Sequence, residues 1–275
     1  MCIVKISRWN NRTGNHLVSL LNTIEHSFNR NNYYQIEMPE HKFFSLKSNK
    51  NLSNKEICKC NKIHDFTHII NPNIHNPLSL DELKLLFNKY VKYNDKCLNF
   101  DISENDIGIH IRSGDIFIGN NPQGYYVQPP LNYYTEIINN NLNRSIIIIF
   151  ENTNNPIINK LKDIYKHHNN IKFQSSTLEF DIYTLSKCKI LVWGTGSFCI
   201  IPYCLSNTIK KNIIPNTFYG CIRFFKNNKS TNNILFIDLP NYIHGWKNTK
   251  EQYNIMLNYK LTEENVKELK EFFNL

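Results

Sequence analysis

The sequence predicts an α/β protein built from two Rossmann-like units that face a cleft and meet near residue 100. From residue 106 onward, short apolar runs alternate with segments of helical periodicity, and the connections between them are short. This alternation is typical of a parallel sheet covered by helices, and the continuous isoleucine runs suit strands buried on both faces. We therefore expect an N-terminal unit over 1–103 and a C-terminal unit over 104–275 that closes with a helix.

The hydrophobic pattern of the N-terminal half predicts its first strands and helices. The apolar run at 2–6 predicts a short buried strand, and apolar residues at helical spacing predict an amphipathic helix over 15–29. Ser79 and Glu82 have the spacing of a capping box, so a second helix is expected to begin here. Further strand candidates are 33–37 and 66–70.

The C-terminal half alternates strands and helices regularly. Apolar runs predict strands at 107–112, 145–150, 171–174, 189–193 and 212–214, the last of which is expected to be the final strand. Helical spacing predicts helices at 131–142, 156–168, 177–186, 198–205 and 263–273. Ligands of parallel α/β sheets bind beyond the carboxyl ends of the strands. The residues that follow each strand are therefore the candidates for a functional site.

Composition excludes several classes of protein. No apolar run approaches the ~18 residues that a membrane-spanning helix needs, and the first residues do not resemble a secretory signal, so we expect a cytoplasmic protein without a membrane span. The eight cysteines lack the spacing of a disulfide framework and are expected as thiols. The net charge of +9 suits either a phosphate-bearing partner or a solvated, lysine-rich surface.

Residues 110–115 (HIRSGD) are the first candidate at a strand end. Arg112 ends a predicted buried strand and is one of only six arginines in the chain. A guanidinium at this position could bind a diphosphate through two parallel hydrogen bonds. Alternatively, Arg112 could pair with Asp115 and serve only to close a turn.

Two further turns lead into helices and offer hydroxyl and amide groups. The glycines of residues 194–198 (GTGSF) would let the backbone approach a ligand at a helix N-terminus, although a purely structural turn has the same pattern. Residues 12–16 (RTGNH) enter the first helix, where Asn15 could contact a ligand or simply cap the helix. We expect all three turns to face one crevice.

These stretches resemble the motifs of fucosyltransferases, in particular those of the α-1,2-fucosyltransferase family and its relatives. Residues 109–115 are similar to the H-x-R-x-G-D signature, and residues 12–16 are similar to the N-terminal G-x-G-N-Q loop. Residues 179–198 are similar to a late segment of the family, which has an acidic helix, a cysteine, a strand and a hydroxyl-rich turn. The chain departs from the family at three places: Arg12 replaces the first glycine, His16 replaces the glutamine, and residues 151–152 are Glu-Asn where Asp is more usual.

The resemblance implies a GT-B type, inverting glycosyltransferase that transfers fucose from GDP-fucose to a glycan acceptor. No metal and no further cofactor would be needed, since the Asp-x-Asp that holds a cation in metal-dependent transferases does not occur in the sequence. The C-terminal unit would bind the donor and the N-terminal unit the acceptor. Arg112, assisted by Asn15, would stabilise the charge that develops on the β-phosphate.

The resemblance also implies the remaining site residues. Those expected to contact the donor are Gly14, His16, His110, Glu151, Asp181, Thr195, Gly196, Ser197 and Phe198. Asp181 or Glu151 would accept hydrogen bonds from guanine or ribose. Asp115 is assigned a catalytic role, either as the base that takes the acceptor proton or as the group that orients Arg112, and His16 is a second candidate for the base.

Three alternatives differ from this interpretation in function. The scaffold could use another nucleotide sugar, or it could be an inactive glycan-binding relative, although an inactive relative would not be expected to keep both Arg112 and Asn15. A nucleic-acid binder would also explain the charge of +9. The lysines are spread along the chain without a basic stripe or an RNA-binding signature, so we expect no nucleic-acid partner.

Two other clusters are interpreted as structural. Cys58, Cys60, His64 and His68 have soft ligand atoms, but only one residue separates the cysteines, whereas zinc sites usually have two to four. We therefore expect no zinc there. His244 and Trp246 could line the acceptor side or pack against the last helix, and we favour packing.

Overall fold

The computed structural model describes residues 2–6, 13–29, 34–47, 79–94, 105–118, 124, 126–217 and 230–274. Within these residues the protein is an α/β fold centred on a six-stranded, entirely parallel sheet, which confirms the predicted fold class. The strand candidate at 66–70 lies outside the described residues. So do Arg12 and the cluster of Cys58, Cys60, His64 and His68.

The described residues before 105 form two small sheets and two helices. Its elements are β1 (Cys2–Lys5), α1 (Thr13–Asn29), β2 (Tyr34–Glu37), β3 (Phe44–Leu46), α2 (Leu80–Tyr90) and β4 (Val91–Tyr93). Strands β1 and β2 pair in parallel, whereas β3 and β4 pair antiparallel. The division of the chain at residue 103 stays a prediction.

The part after residue 105 forms the large sheet and its covering helices. Its elements are β5 (Ile107–Ile111), a 3₁₀ turn (Gly114–Phe117), α3 (Leu131–Asn139), β6 (Ile146–Phe150), α4 (Pro156–Tyr165), β7 (Ile171–Gln174), α5 (Leu178–Ser186), β8 (Ile190–Val192), α6 (Ile200–Leu205), β9 (Lys211–Asn216), β10 (Ile234–Asp238), α7 (Lys250–Asn258) and α8 (Glu263–Asn274). The spatial order of the strands is β10-β9-β8-β5-β6-β7. The chain therefore builds outward from β5 in one direction and then returns to its other side, which makes the β5–β8 boundary a topological switch point.

The sheet is buried on both faces, and this explains the consecutive isoleucines. In β6, Ile147 and Ile149 belong to the core on one face, while Ile146, Ile148 and Phe150 belong to the core on the other. Residues of α3, α4, α7 and α8 complete the second core. Residues of α5 and α6 complete the first core, and residues of α1 and α2 belong to it as well. The two N-terminal helices therefore share one continuous core with the large sheet.

Several helix boundaries follow from local hydrogen bonds. The predicted capping box is confirmed, because the Ser79 amide donates to Glu82 Oε2 at 2.7 Å and the Glu82 amide donates to Ser79 Oγ at 3.2 Å. Helix α3 ends earlier than predicted. The side chains of Asn140 and Asn141 each donate to the backbone carbonyl four residues earlier, and asparagine side chains that bond to the backbone in this way compete with regular helix.

The prediction that residues 212–214 form the last strand is wrong. Strand β10 follows and pairs in parallel with β9, and α7 lies between β10 and α8. The helical pattern of α7 is weak because Met256 is its only buried side chain. Among the described residues, no helix combines the length and the apolar composition needed to cross a bilayer.

We predict that Leu20→Ala lowers the free energy of unfolding of the whole protein by about 2–5 kcal/mol, since Leu20 is fully buried in the shared core. The matched control is Leu85→Ala, at a helix position that is 67% exposed, where a change of about 0.5 kcal/mol or less is expected. Denaturant titration of both variants measures the difference. Similar small effects at the two positions would mean that α1 does not contribute to the core.

Candidate functional site

A cavity of about 720 Å³ opens at the carboxyl ends of β5 and β6, beside the switch point of the sheet. It is lined by nearly all of the residues that the sequence predicts for the site, namely Gly14, Asn15, His16, His110, Arg112, Asp115, Glu151, Asp181, Gly196, Ser197 and Phe198. The three turns singled out in the sequence therefore meet at one cavity. The chemical roles of these residues stay predictions.

Arg112 is the first residue after β5, and its side chain is only 13% exposed. Its Nη2 donates to Asp115 Oδ1 at 2.8 Å, and the centre of its guanidinium lies 5.5 Å from the centroid of the Tyr126 ring. The arginine thus pairs with Asp115 and lines the cavity at the same time. The predicted pair with Asp115 is found, and binding of a diphosphate stays a prediction. The carboxylate and the aromatic ring together restrict the orientation of the guanidinium.

The loop after β5 is held by the loop after β6. The amide of Asn152 donates to Ser113 Oγ at 3.0 Å, and the amide of Gly114 donates to Asn152 Oδ1 at 3.2 Å. Gly114 has a φ of +78°, and a Cβ at this position would overlap the carboxylate of Glu151. The positive φ is what only glycine adopts without strain, since the Glu151 carboxylate is the far end of an exposed side chain and can move aside. The loop that presents Arg112 therefore depends on Gly114.

The start of α1 contacts the turn between β8 and α6 directly. A Cβ on Gly14 would lie 2.7 Å from Ser197 Oγ and 2.8 Å from the Ser197 carbonyl oxygen, so the two segments can approach only where there is no side chain. Ser197 Oγ donates to Asn15 Oδ1 at 2.6 Å, and both side chains are buried. Asn15 lies inside α1, which begins at Thr13, so the interpretation of Asn15 as the helix cap is wrong.

The same turn contacts the end of β5. A Cβ on Gly194 would lie 2.6 Å from the His110 carbonyl oxygen and 3.2 Å from the Arg112 amide. Thr195 is the predicted site residue that does not line the cavity: its side chain is buried, and its hydroxyl has no hydrogen-bond partner among the described residues. The turn thus presents Gly196 and Ser197, and not Thr195, to the cavity.

His110 is a buried histidine that remains uncharged. Its ring stacks on Phe198 with the ring centroids 4.5 Å apart, and its side chain is 8% exposed. Burial, and secondly the nearby positive charge of Arg112, lower the pKa of His110 to about 3. His110 therefore contributes a neutral imidazole to the cavity at physiological pH.

Asp181, in α5, contributes a buried carboxylate to the lining of the cavity. It accepts hydrogen bonds from Gln174 Nε2 at 2.8 Å and from the Ser176 amide at 3.4 Å. Burial raises its pKa above the usual aspartate range, and the two hydrogen bonds act in the opposite direction. Glu151 is exposed at the end of β6, where it also lines the cavity.

His16 lies on the first turns of α1 and contacts a second histidine. Its Nδ1 is 3.0 Å from His41 Nε2, and the rings meet edge to face with centroids 5.2 Å apart. The His41 ring in turn stacks on Phe44 with centroids 4.7 Å apart. Burial, and secondly His16, lower the pKa of His41 to about 4.

Sequence reasoning missed three residues around this cavity. Tyr126 and His41 lie in segments without helical or strand periodicity, and no local signal places them beside Arg112 or His16. Asn155 had a signal: it precedes Pro156 at a helix start, which is a typical capping arrangement. Its Oδ1 accepts from the Ile157 amide at 3.0 Å, and its Nδ2 donates to the Arg112 carbonyl at 2.9 Å.

Trp246 is a packing residue as predicted, although the contacts of its indole are with the 3₁₀ turn and with Tyr253 of α7, and not with the last helix. The indole is 1% exposed, donates from Nε1 to the Ile116 carbonyl at 3.0 Å, and meets the Phe117 ring at a centroid distance of 5.4 Å. His244 is exposed. In the part of the chain that the structure describes, no group of three or more His, Cys, Asp or Glu side chains is arranged to hold a metal ion.

No protein-family model matches the chain, and no curated protein matches it. Among solved structures, it is similar to E. coli heptosyltransferase WaaC with ADP, with a TM-score of 0.39 and 10% identity over 70% of this chain and 48% of that chain. It is also similar to E. coli heptosyltransferase WaaC with ADP-2-deoxy-2-fluoro heptose, with a TM-score of 0.34 and 11% identity over 63% and 45% of the two chains. The chain spans about half the length of the solved structures that it matches.

We predict that His110 makes stability depend on pH. A histidine whose pKa is lowered by folding binds fewer protons in the folded state, so its contribution is complete above about pH 6.5 and is lost as the pH falls toward 3. The free energy of unfolding should decrease by up to about 1.4 kcal/mol per pH unit in this window.

His110→Phe preserves the ring stack on Phe198 and should make this decrease smaller when denaturant titrations between about pH 7 and 5 are compared with wild type. His167→Phe, at an exposed position, is the matched control. An unchanged pH dependence in His110→Phe would show that His110 takes up its proton as readily in the folded state as in the unfolded state.

Proposed function

We propose that the protein is a glycosyltransferase that binds a nucleoside diphosphate sugar in this cavity and transfers the sugar to a glycan acceptor. The observation that carries the proposal is the position of Arg112 at the carboxyl end of β5, at the switch point of the sheet and on the cavity wall. Parallel α/β sheets bind ligands at this place. The start of α1 lines the same cavity, and the partial positive charge of a helix N-terminus favours an anion there.

The proposed chemistry requires a charge opposite the leaving group. When the bond between the anomeric carbon and the β-phosphate oxygen breaks, the electron pair stays with the nucleoside diphosphate, which gains negative charge. Arg112 would stabilise this charge through bidentate hydrogen bonds, and its contacts with Asp115 and Tyr126 hold it in place before the reaction. We propose that transfer needs no metal, because the guanidinium supplies the charge that a cation would otherwise supply. We also propose that transfer is inverting, as the resemblance to fucosyltransferases implies.

Carboxylates on the cavity wall differ in the roles that they can take. Asp115 already accepts a hydrogen bond from Arg112, so we assign it to orienting the arginine. The proton of the acceptor hydroxyl would then be taken by Glu151, which lines the cavity and is exposed, while Asp181 is left for the nucleotide. His110 is a poor base because its pKa is about 3.

For the donor we propose GDP-fucose, and this choice depends on the resemblance of residues 109–115 to the H-x-R-x-G-D signature. The buried carboxylate of Asp181 supports a guanine nucleotide, since guanine offers two adjacent N–H donors to a carboxylate and adenine does not. Another nucleotide sugar on the same cavity is the alternative. Comparing the thermal stabilisation by GDP-fucose, GDP-mannose and ADP-sugars distinguishes the two, because a ligand that binds only the native state raises stability.

We predict that Arg112→Lys keeps the fold but lowers the rate of sugar transfer by about 10²–10³-fold, because a point charge cannot form the bidentate contact. The readout is transfer from GDP-fucose, or hydrolysis of the donor when no acceptor is supplied. Transfer should persist in excess EDTA.

The matched control is Arg144→Lys, since Arg144 lies outside the cavity lining, where it contacts the ring of Phe273. Near-normal turnover by Arg112→Lys would remove this residue from the mechanism. Turnover that stops in EDTA would mean that a metal carries the leaving-group charge.

We also predict that Tyr126 positions Arg112 through its ring. Tyr126→Leu should weaken binding of the donor about five- to thirtyfold, because a desolvated contact between a guanidinium and an aromatic ring contributes about 1–2 kcal/mol. Tyr126→Phe keeps the ring and should recover most of the affinity. Isothermal titration with GDP-fucose gives both values, and equal losses in the two variants would assign the effect to the hydroxyl instead.

A further inference from the structure

Residues 41–43 are connected to the cavity by a short chain of hydrogen bonds. The backbone amide of Phe43 donates to His41 Nδ1 at 3.1 Å. A backbone N–H can only donate, so Nδ1 of His41 must be the unprotonated ring nitrogen. The ring is held in this orientation by its stack on Phe44, with an interplanar angle of 13°.

The state of His41 determines the state of His16. A neutral imidazole that is unprotonated at Nδ1 carries its proton at Nε2. Nε2 of His41 lies 3.0 Å from Nδ1 of His16, so His41 donates and His16 accepts. Burial and the neighbouring His16 lower the pKa of His41 to about 4, which keeps His41 neutral at physiological pH.

A neutral His16 therefore carries its proton on Nε2, because the lone pair of its Nδ1 accepts the hydrogen bond from His41. An imidazole in this state can donate from Nε2, but neither nitrogen can take up another proton unless the hydrogen bond to His41 breaks. His16 therefore cannot act as the general base while this arrangement holds. This result removes one of the two candidates that the sequence suggested for the base.

The positive charge of Arg112 on the same cavity also makes a protonated, positively charged His16 unfavourable. Besides His16 itself, the described charged and titratable groups that line the cavity are His110, Arg112, Asp115, Tyr126, Glu151 and Asp181. Arg112 already supplies a permanent positive charge. On the far side of His41, the neighbouring Lys42 is paired with Glu179 of α5.

We infer that His16 is a hydrogen-bond donor, locked in its Nε2–H tautomer by His41, and that it contacts an anionic oxygen of the bound donor substrate. His41 is a positioning residue that acts through His16. The identity of the ligand rests on the proposed function, whereas the tautomer rests on the two hydrogen bonds alone.

The tautomers are tested first, without any ligand. Nitrogen-15 NMR of the imidazole rings in the intact protein distinguishes protonated from unprotonated ring nitrogens, and His16→Gln and His41→Phe assign the signals. We expect both histidines to be protonated at Nε2 and unprotonated at Nδ1 between about pH 5 and 8. A proton on Nδ1 of either ring, or titration of His16 in this range, would overturn the inference.

The donor role is tested by affinity for GDP-fucose, whose phosphates keep a constant charge over the same range of pH. His16→Leu should weaken binding by about 10- to 100-fold, which is the effect of losing one hydrogen bond to a charged group. Gln carries an N–H near the position of Nε2, so His16→Gln should recover most of the loss. Equal losses in Leu and Gln variants would contradict a donor role.

His41→Phe separates positioning from simple packing, since it keeps the ring stack but removes the donor. His16 should then be able to gain a proton near the ordinary histidine pKa of ~6.5, and binding should become tighter as the pH falls. Wild type should lack this pH dependence, and so should the double variant that carries both His41→Phe and His16→Gln. If GDP-fucose and other nucleotide sugars bind to no variant, the proposed function and the donor role both fail, and the NMR result alone decides the tautomer.

Discussion

The contact between Gly14 and Ser197 connects the N-terminal helix to the carboxyl edge of the sheet, and the rest of the site depends on it. Because no Cβ intervenes, the backbones come close enough for Ser197 Oγ to donate to Asn15 at 2.6 Å. Asn15 and His16 are thereby placed on the same cavity as Arg112. Gly194 makes an equivalent approach to the end of β5, so two glycines bring three separate segments of the chain together.

The electrostatics of the cavity follow from burial. His110 and His41 both have lowered pKa values, so neither adds charge at physiological pH. Among the described residues that line the cavity, Arg112 carries the permanent positive charge. Asp115 orients it without being buried itself, since the Asp115 side chain is 54% exposed. An oriented guanidinium in such a cavity is well suited to an anion whose charge increases during a reaction.

The sequence predicts those parts of the structure that are determined by interactions between residues close together in the chain. The strand before Arg112 and the capping box at Ser79 depend on residues close in sequence, and both are found as predicted. Tyr126 lines the cavity and His41 contacts His16 behind it, both through contacts that are distant in sequence, and no periodic pattern encodes these contacts. Strands β3 and β4 are three residues each, too short for an alternating pattern, and exist because they pair with each other.

The function of the cavity is tied to the packing of α1. One face of this helix is buried in the core that it shares with α5 and α6, and its first turns carry Asn15 and His16. A shift of α1 along that core would break the hydrogen bond between Ser197 and Asn15 and would move His16 away from His41. Loss of the second contact would release the tautomer of His16. The tautomer of His16 is therefore a consequence of how α1 packs in the core, because close-packed protein interiors permit discrete arrangements of a helix and not gradual displacement.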